Sequence, residues 1–243
     1  MSSTGNSESG FHFYCYGVVA ADKPEDTNII EAFPKDLMYN LSGEVNNKQE
    51  SIVINRESTD GKVKTDKISA TSTIPARWLA LGGSNRVSAP DVRKGETVLI
   101  FRYGTNDDYY WEPITTELSK RGKETVTYLF KNSDGQEPIA PDGSNAYYLT
   151  YSTRHKFVHL HTSNNDGEAV AFDIKLDTKS GTINISDSRA NSITLISPED
   201  KLNIKTNNEF NLETASKVNV LTKDCTIQCD NFTVKSKKTS INP

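Results

Sequence analysis

The sequence predicts an all-β protein, a small N-terminal barrel followed by a rod of short stacked strands, and three observations predict it. First, apolar residues recur in pairs at i and i+2 through the C-terminal part: Ile174/Leu176, Ile183/Ile185, Ile193/Leu195, Leu202/Ile204, Phe210/Leu212, Val218/Val220, Cys225/Ile227, Phe232/Val234 and Thr239/Ile241. Alternate side chains leave a pleated strand on one face, so such pairs mark strands; a heptad coiled coil would space its pair at i and i+3. Second, the N-terminal half carries strand-like runs separated by turn residues. Third, only 35% of the 243 residues are hydrophobic and mean hydropathy is −0.60, low for a compact globule but natural for a thin object with much surface per residue.

In chain order, residues 1–10 (MSSTGNSESG) read as a flexible arm and residues 11–134 as a barrel with an extension. FHFYCYGVVAA and ESIVINRE read as strands, and Thr97–Tyr103 with Tyr109–Trp111 as a hairpin around a Gly104–Asp108 turn. Pro90 and Lys94–Gly95 make a turn leading into that hairpin, Thr115–Arg121 reads as a short helix, and a rounded core here would bury Trp78 and Trp111. Residues 135–148, with two prolines and two glycines, read as a linker. The shaft then covers 149–243, introduced by a hairpin of YYLTYSTRHKFVHLHTS and AVAFDIKLD about the turn NNDGE. Beyond Gly181 there is no glycine, and the corners are built from Asn, Ser, Thr, Asp and Lys, most clearly at SPED and TNNE.

Each repeat unit buries about two side chains, too little to offset ordering its backbone at ~1–2 kcal/mol per residue. The shaft therefore needs lateral closure. One chain coiling on itself as a left-handed β-helix would supply it, and so would three chains wound about a common axis. The first geometry favours a fixed six-residue period with small corner residues. Here the spacing tightens from nine or ten residues to eight and then to seven from Val218 onward, which favours an intertwined homotrimer with its edges paired. Its core would be Ile183, Ile185, Ile193, Leu195, Leu202, Ile204, Phe210, Leu212, Val218, Val220, Cys225, Ile227, Phe232 and Val234. Nine units at the strand spacing give a tapering prism roughly 45 Å long.

Composition excludes several functions. A formal charge of −4 and a pI near 5.6 offer no basic field for nucleic acid. The three cysteines, Cys15, Cys225 and Cys229, are too few for a disulfide framework. The polar start lacks the pattern of a signal peptide and no apolar run approaches transmembrane length, so synthesis in the host cytoplasm is expected. No GxSxG, HExxH, P-loop or CxxC motif is present, and the acidic pairs Asp107/Asp108 and Glu199/Asp200 fall in polar turns, so no catalytic residue and no cofactor is assigned.

His159 and His161 share one face of a strand. On a threefold axis they would present six nitrogens, which suits an octahedral transition metal; with Val158 and Leu160 facing the core instead, the histidines face solvent, and this second arrangement is the expected one. Tyr109, Tyr110 and Trp111 are more simply barrel core and subunit contact than a stacking platform. Lys235, Lys237 and Lys238 read as a solvated rim.

With Tyr16–Gly17–Val18–Val19, Pro90 through Val98 and Tyr109–Tyr110–Trp111 in the barrel, and the units beginning Gly181–Thr182–Ile183–Asn184–Ile185 in the shaft, most of the chain resembles the central spike proteins of contractile phage tails, a family related to the type VI secretion spike. The resemblance implies an OB-fold barrel at the base, a triple-stranded β-helix shaft, and mechanical puncture of the host outer envelope by a virion baseplate component without enzymatic activity. It implies contact with tail tube or hub proteins through the barrel. Two departures matter: the gap after the barrel is too short for the lysozyme domain some members carry, and no histidine follows His161 to build a metal-tipped apex. A separate PAAR-type tip protein is therefore expected on a platform of Thr239, Ile241 and Pro243. Alternative readings are a receptor- or glycan-binding tail needle and a β-helical polysaccharide-degrading enzyme.

Overall fold

A computed structural model describes residues 10–37, 50–57, 63–70, 72–81, 85–114, 122–135, 137–140 and 143–239, with only the backbone of 50–57 and 63–70. The fold is all-β, with one 3₁₀ turn at Ser197–Glu199 among the described residues. Contacts divide the chain into Met1–Asn207 and Asn208–Pro243.

Five strands close a barrel in the first unit: β1 (Phe11–Val19), β2 (Ile29–Pro34), β5 (Ile74–Trp78), β6 (Thr97–Tyr103) and β7 (Tyr109–Pro113). Their order is β1-β2-β5-β7-β6, with β6 pairing back onto β1. Every pairing is antiparallel except β5 with β7, which run parallel and set Trp78 opposite Trp111. Between β2 and β5 in the chain, β3 (Glu50–Glu57) and β4 (Val63–Ala70) pair as a separate hairpin.

The barrel core gathers Trp111, Ile100, Val98, Val19 and Cys15 around Ala32, Ala76, Ile30, Ala89 and Val92. A bulge between Phe13 and Cys15 shifts the phase of β1, so Phe11 and Phe13 face out while Cys15 and Val19 face in. Trp111 is fully buried and its Nε1 donates to the Asn28 carbonyl at 3.1 Å, whereas Trp78 is only half-buried under the Arg86 guanidinium. Burial pushes the Cys15 thiol up to about 11, with Asp36 adding to the effect, so it is an inert core filler. Gly95 closes the turn before β6 at φ 85°, a conformation that favours glycine.

The remaining strands form one antiparallel meander: β8 (Thr125–Lys131), β9 (Ala146–Ser152), β10 (Phe157–His161), β11 (Phe172–Asp177), β12 (Thr182–Asp187), β13 (Ser192–Ile196) and β14 (Lys201–Lys205), hydrogen-bonded in that order. Two sequence expectations change here. The run read as one arm of the introducing hairpin is itself two strands, β9 and β10, turning at Thr153–Lys156 with Lys156 at φ 63°; no glycine or proline marks that turn. Thr125–Lys131, grouped with the barrel extension, pairs with β9 in this sheet, and the stretch read as a linker already enters β9 at Ala146. The short helix expected at 115–121 lies outside the described residues.

Side chains brace the corners, with Gly181 at φ 70° the glycine in the one between β11 and β12. The Asp177 carboxylate accepts from the Lys179 and Ser180 amides, Asp187 accepts from those of Arg189 and Asn191, and Asp200 closes the 3₁₀ turn at φ 50°. The expected turns at SPED and TNNE fall at this 3₁₀ turn and at the bend of Asn207–Asn208.

Gly17 has no room for a side chain: a Cβ would sit 2.9 Å from Ile100 Cγ1 and 3.2 Å from Ala32 Cβ. Gly17→Ala is expected to destabilise the protein by about 1–3 kcal/mol through overpacking. Urea unfolding checks this; an unchanged midpoint would contradict the packing described.

Candidate functional site

The antiparallel registers assemble the apolar pairs into two unbroken rows. Directly opposed residues lie on the same side of a sheet, so one row runs Val126–Tyr151–Val158–Leu176–Ile183–Leu195–Leu202 and the other Tyr128–Leu149–Leu160–Ile174–Ile185–Ile193–Ile204. No charged or hydrogen-bonding side chain other than the two tyrosines interrupts these fourteen positions. Within the chain eleven of the fourteen stay open to solvent, from 38% exposure at Ile183 and Leu195 to 59% at Leu202, while Val126, Val158 and Ile174 are partly buried. Monomers seldom leave an apolar patch above ~300–600 Å² uncovered, and such a face marks an interaction surface.

The opposite face is mainly polar. Thr127 and Thr150 meet at 3.1 Å, Thr125 and Ser152 at 2.8 Å, and Thr194 donates to Asn184 Oδ1 at 2.8 Å. The expected core residues of β12 to β14 thus share one face. Phe210, Leu212, Val218, Val220, Ile227, Phe232 and Val234 are all at least half exposed, and Cys225 is exposed. None of the described residues of Asn208–Thr239 belongs to a helix or strand. Thr239 is exposed, while Ile241 and Pro243 of the expected tip platform lie outside the described residues.

His159 and His161 lie on the polar face, away from the apolar rows. His159 Nε2 and His161 Nδ1 converge on one oxygen, Asp173 Oδ2, at 2.8 and 3.1 Å, and the Tyr148 ring stacks on His161 with centroids 4.8 Å apart. Among the described residues no group of three or more His, Cys, Asp or Glu is placed to hold a metal. The pairing to Asp173 was not readable beforehand, because it depends on the β10–β11 register that sets His161 opposite Asp173.

A second polar cluster, also missed, joins barrel to sheet. Lys23, almost fully buried, donates to the carbonyls of Pro24 and Thr27 at 2.9 and 3.1 Å and lies 3.5 Å from Asp91. Asp91 also pairs with Arg154 of the β9–β10 turn, and Glu25 pairs with His155 of the same turn. The hydrogen bond from His155 leads the effects that hold Glu25 below the usual carboxylate range, and the bond to Asp91 leads those that raise Arg154. Beside this cluster the Asn85–Ser88 segment straps the edge of β8, Val87 N donating to Thr127 O and Leu129 N to Asn85 O. The residues come from distant stretches of polar loop, so no local spacing announces them.

On the barrel exterior Phe11 lies between Tyr103 and Tyr110, at centroid distances of 5.0 and 4.9 Å, in tilted and edge-on geometry. Tyr109 and Trp111 point the other way, into or against the core, so the three aromatics expected together split between two faces of β7.

No protein family model and no curated protein matches this chain.

Two outcomes follow from the polar clusters. Asp91→Asn leaves the Lys23 ammonium in a dry site without its counter-charge, and is expected to cost ~2–4 kcal/mol of stability. Arg154→Gln, on the wetter side of the same carboxylate, should cost less, ~1 kcal/mol or below; equal losses in denaturant titrations would contradict this. At Asp173, partial burial raises the carboxyl pKa, but the hydrogen bonds and charge of His159 and His161 outweigh it and the net shift is downward. A lowered carboxyl contributes stability above its unfolded pKa that is lost as pH falls through the folded value. Asp173→Asn should therefore flatten the fall in melting temperature below about pH 4. A slope equal to that of the unsubstituted protein would exclude the interaction.

Proposed function

We propose that the protein is the non-enzymatic central spike of a contractile injection machine, a homotrimer whose shaft is driven through the host outer envelope. The observation that carries this reading is the double apolar row on the sheet, continued in the same i, i+2 phase by a tail whose apolar residues find no strand partner among the described residues. Copies of the same chain supply both needs at once, side-chain cover for the sheet and backbone partners for the tail.

The barrel supports the same reading. Five strands in the order β1-β2-β5-β7-β6, closed by β6 on β1 and parallel only at β5–β7, support reading this barrel as an OB-fold. In the spike family that barrel sits at the base, so this reading places the tube or hub proteins on it and the protein in the virion baseplate. The shaft beyond Asn208 is read as the triple-stranded β-helix, with a PAAR-type tip protein on Thr239, Ile241 and Pro243. Mechanical strength comes from lateral bonding among three chains, because no chain can peel away without breaking ladders along its length.

Light scattering tests the reading: the expected mass is three times the 27.0 kDa chain, in a species that resists SDS, and a monomer at micromolar concentration would overturn it. Deleting the last five residues should abolish association with a tip protein while leaving the trimer intact. Unchanged association would remove the proposed platform.

A further inference from the structure

The sheet and the tail differ in what each lacks, and the difference assigns them separate roles. In β8 through β14 the successive strands are paired within one chain, so a single subunit can complete this backbone structure alone. What it lacks is cover for one face. From Asn208 the described residues lack strand partners altogether, and each unit offers only a pair of apolar side chains, too few to order it without neighbours.

We propose that the apolar face of β8–β14 is by itself the trimerisation surface, buried against the same face of two further copies, and that Asn208–Pro243 folds only afterwards, in the register the three sheets set. This rests on the spike reading above and adds to it which part drives assembly.

Area and geometry carry the choice of occupant. Fourteen side chains, eleven of them 38–59% exposed, present on the order of 1,000 Å² of mostly apolar surface per chain, comparable with the ~800 Å² that each partner buries in a stable interface. The face is divided into two parallel rows. In a closed ring of three, each chain meets two neighbours, and the row ending at Leu202 can lie against the row ending at Ile204 of the next copy. Neither row carries a charge by which an unrelated partner would be selected. The same phase then runs on into Phe210/Leu212 and Val218/Val220, so the apolar stripe that meets itself in the sheet is continuous in sequence with the one that must meet itself in the tail.

The two parts can be separated in the full-length protein. Ile185→Asp with Leu195→Asp puts one charge into each row, and Phe210→Asp with Leu212→Asp puts two at the head of the tail. Mass by light scattering and tryptic cleavage at Lys217 and Lys223 are then measured. The tail variant is expected to remain trimeric, with those lysines cut at least tenfold faster than in the unsubstituted protein. The sheet variant is expected to be monomeric, keeping its β-sheet circular dichroism and cut as fast in the tail. A monomeric tail variant, a trimeric sheet variant or a dimer in either would overturn the proposal. Should the sheet variant fail to fold, the tail variant alone still decides, because the proposal requires it to be a trimer with an open tail. If the unsubstituted protein is itself monomeric, the spike reading falls as well; if it is trimeric and only the variants disagree, the assignment of roles alone is lost.

Discussion

Register in the seven-stranded sheet is the constraint on which the rest depends. Side chains alternate across a strand, so slipping any one pairing by one residue would move that strand's apolar pair to the polar face and break both rows. The native pairings keep Leu176, Ile183, Leu195 and Leu202 in line, and the corner carboxylates of Asp177 and Asp187 hold the connections at the lengths this alignment needs. Each of these two corners satisfies two backbone amides with one side chain; the first also uses Gly181 at φ 70°, while the second turns without glycine.

The barrel and the sheet solve different problems with the same kind of strand. Closure gives the barrel an interior filled by Trp111, Ile100 and Val98, and it removes free edges. The sheet stays open, with one wet polar face and one apolar face left largely uncovered by the described residues. Between them, Lys23, Asp91 and Arg154 tie the loop after β1 and the turn preceding β6 to the β9–β10 turn, while Asn85–Ser88 lies along the edge of β8. In the proposed spike this joint is where axial force passes from base to shaft. An ion network reinforced by backbone hydrogen bonds resists shear there better than apolar contact, which is non-directional.

Much of this architecture was legible in the sequence, for identifiable reasons. The i, i+2 pairs from Ile174 to Ile204 are a local signal and fall on strands, and the hairpin read at Thr97–Tyr103 and Tyr109–Trp111, bounded by its turn residues, falls on β6 and β7. What escaped depended on contacts between distant residues or on geometry with no compositional mark. The turn at Thr153–Lys156 uses polar residues that a strand also tolerates, and the bulge in β1 leaves no trace in the pattern of Phe11, Phe13 and Cys15. Asp173 meets His159 and His161 only because β11 folds back on β10, and Lys23 reaches Asp91 across most of the barrel sequence. Periodicity exposes what a strand buries; it does not reveal which polar groups the fold brings together.

The open tail has a consequence for how the protein is made. Segments such as Lys217–Leu221 are short, rich in β-formers and lightly charged, the kind of stretch that pairs with whatever strand it meets first. Between release from the ribosome and the proposed assembly, every chain carries such segments exposed, and among the described residues the outer edge of β14 has no strand partner. In the proposed homotrimer, yield is then a contest between finding two sister chains and entering off-pathway aggregates. That contest favours synthesis of several copies close together, from one message, over slow accumulation of dispersed monomers.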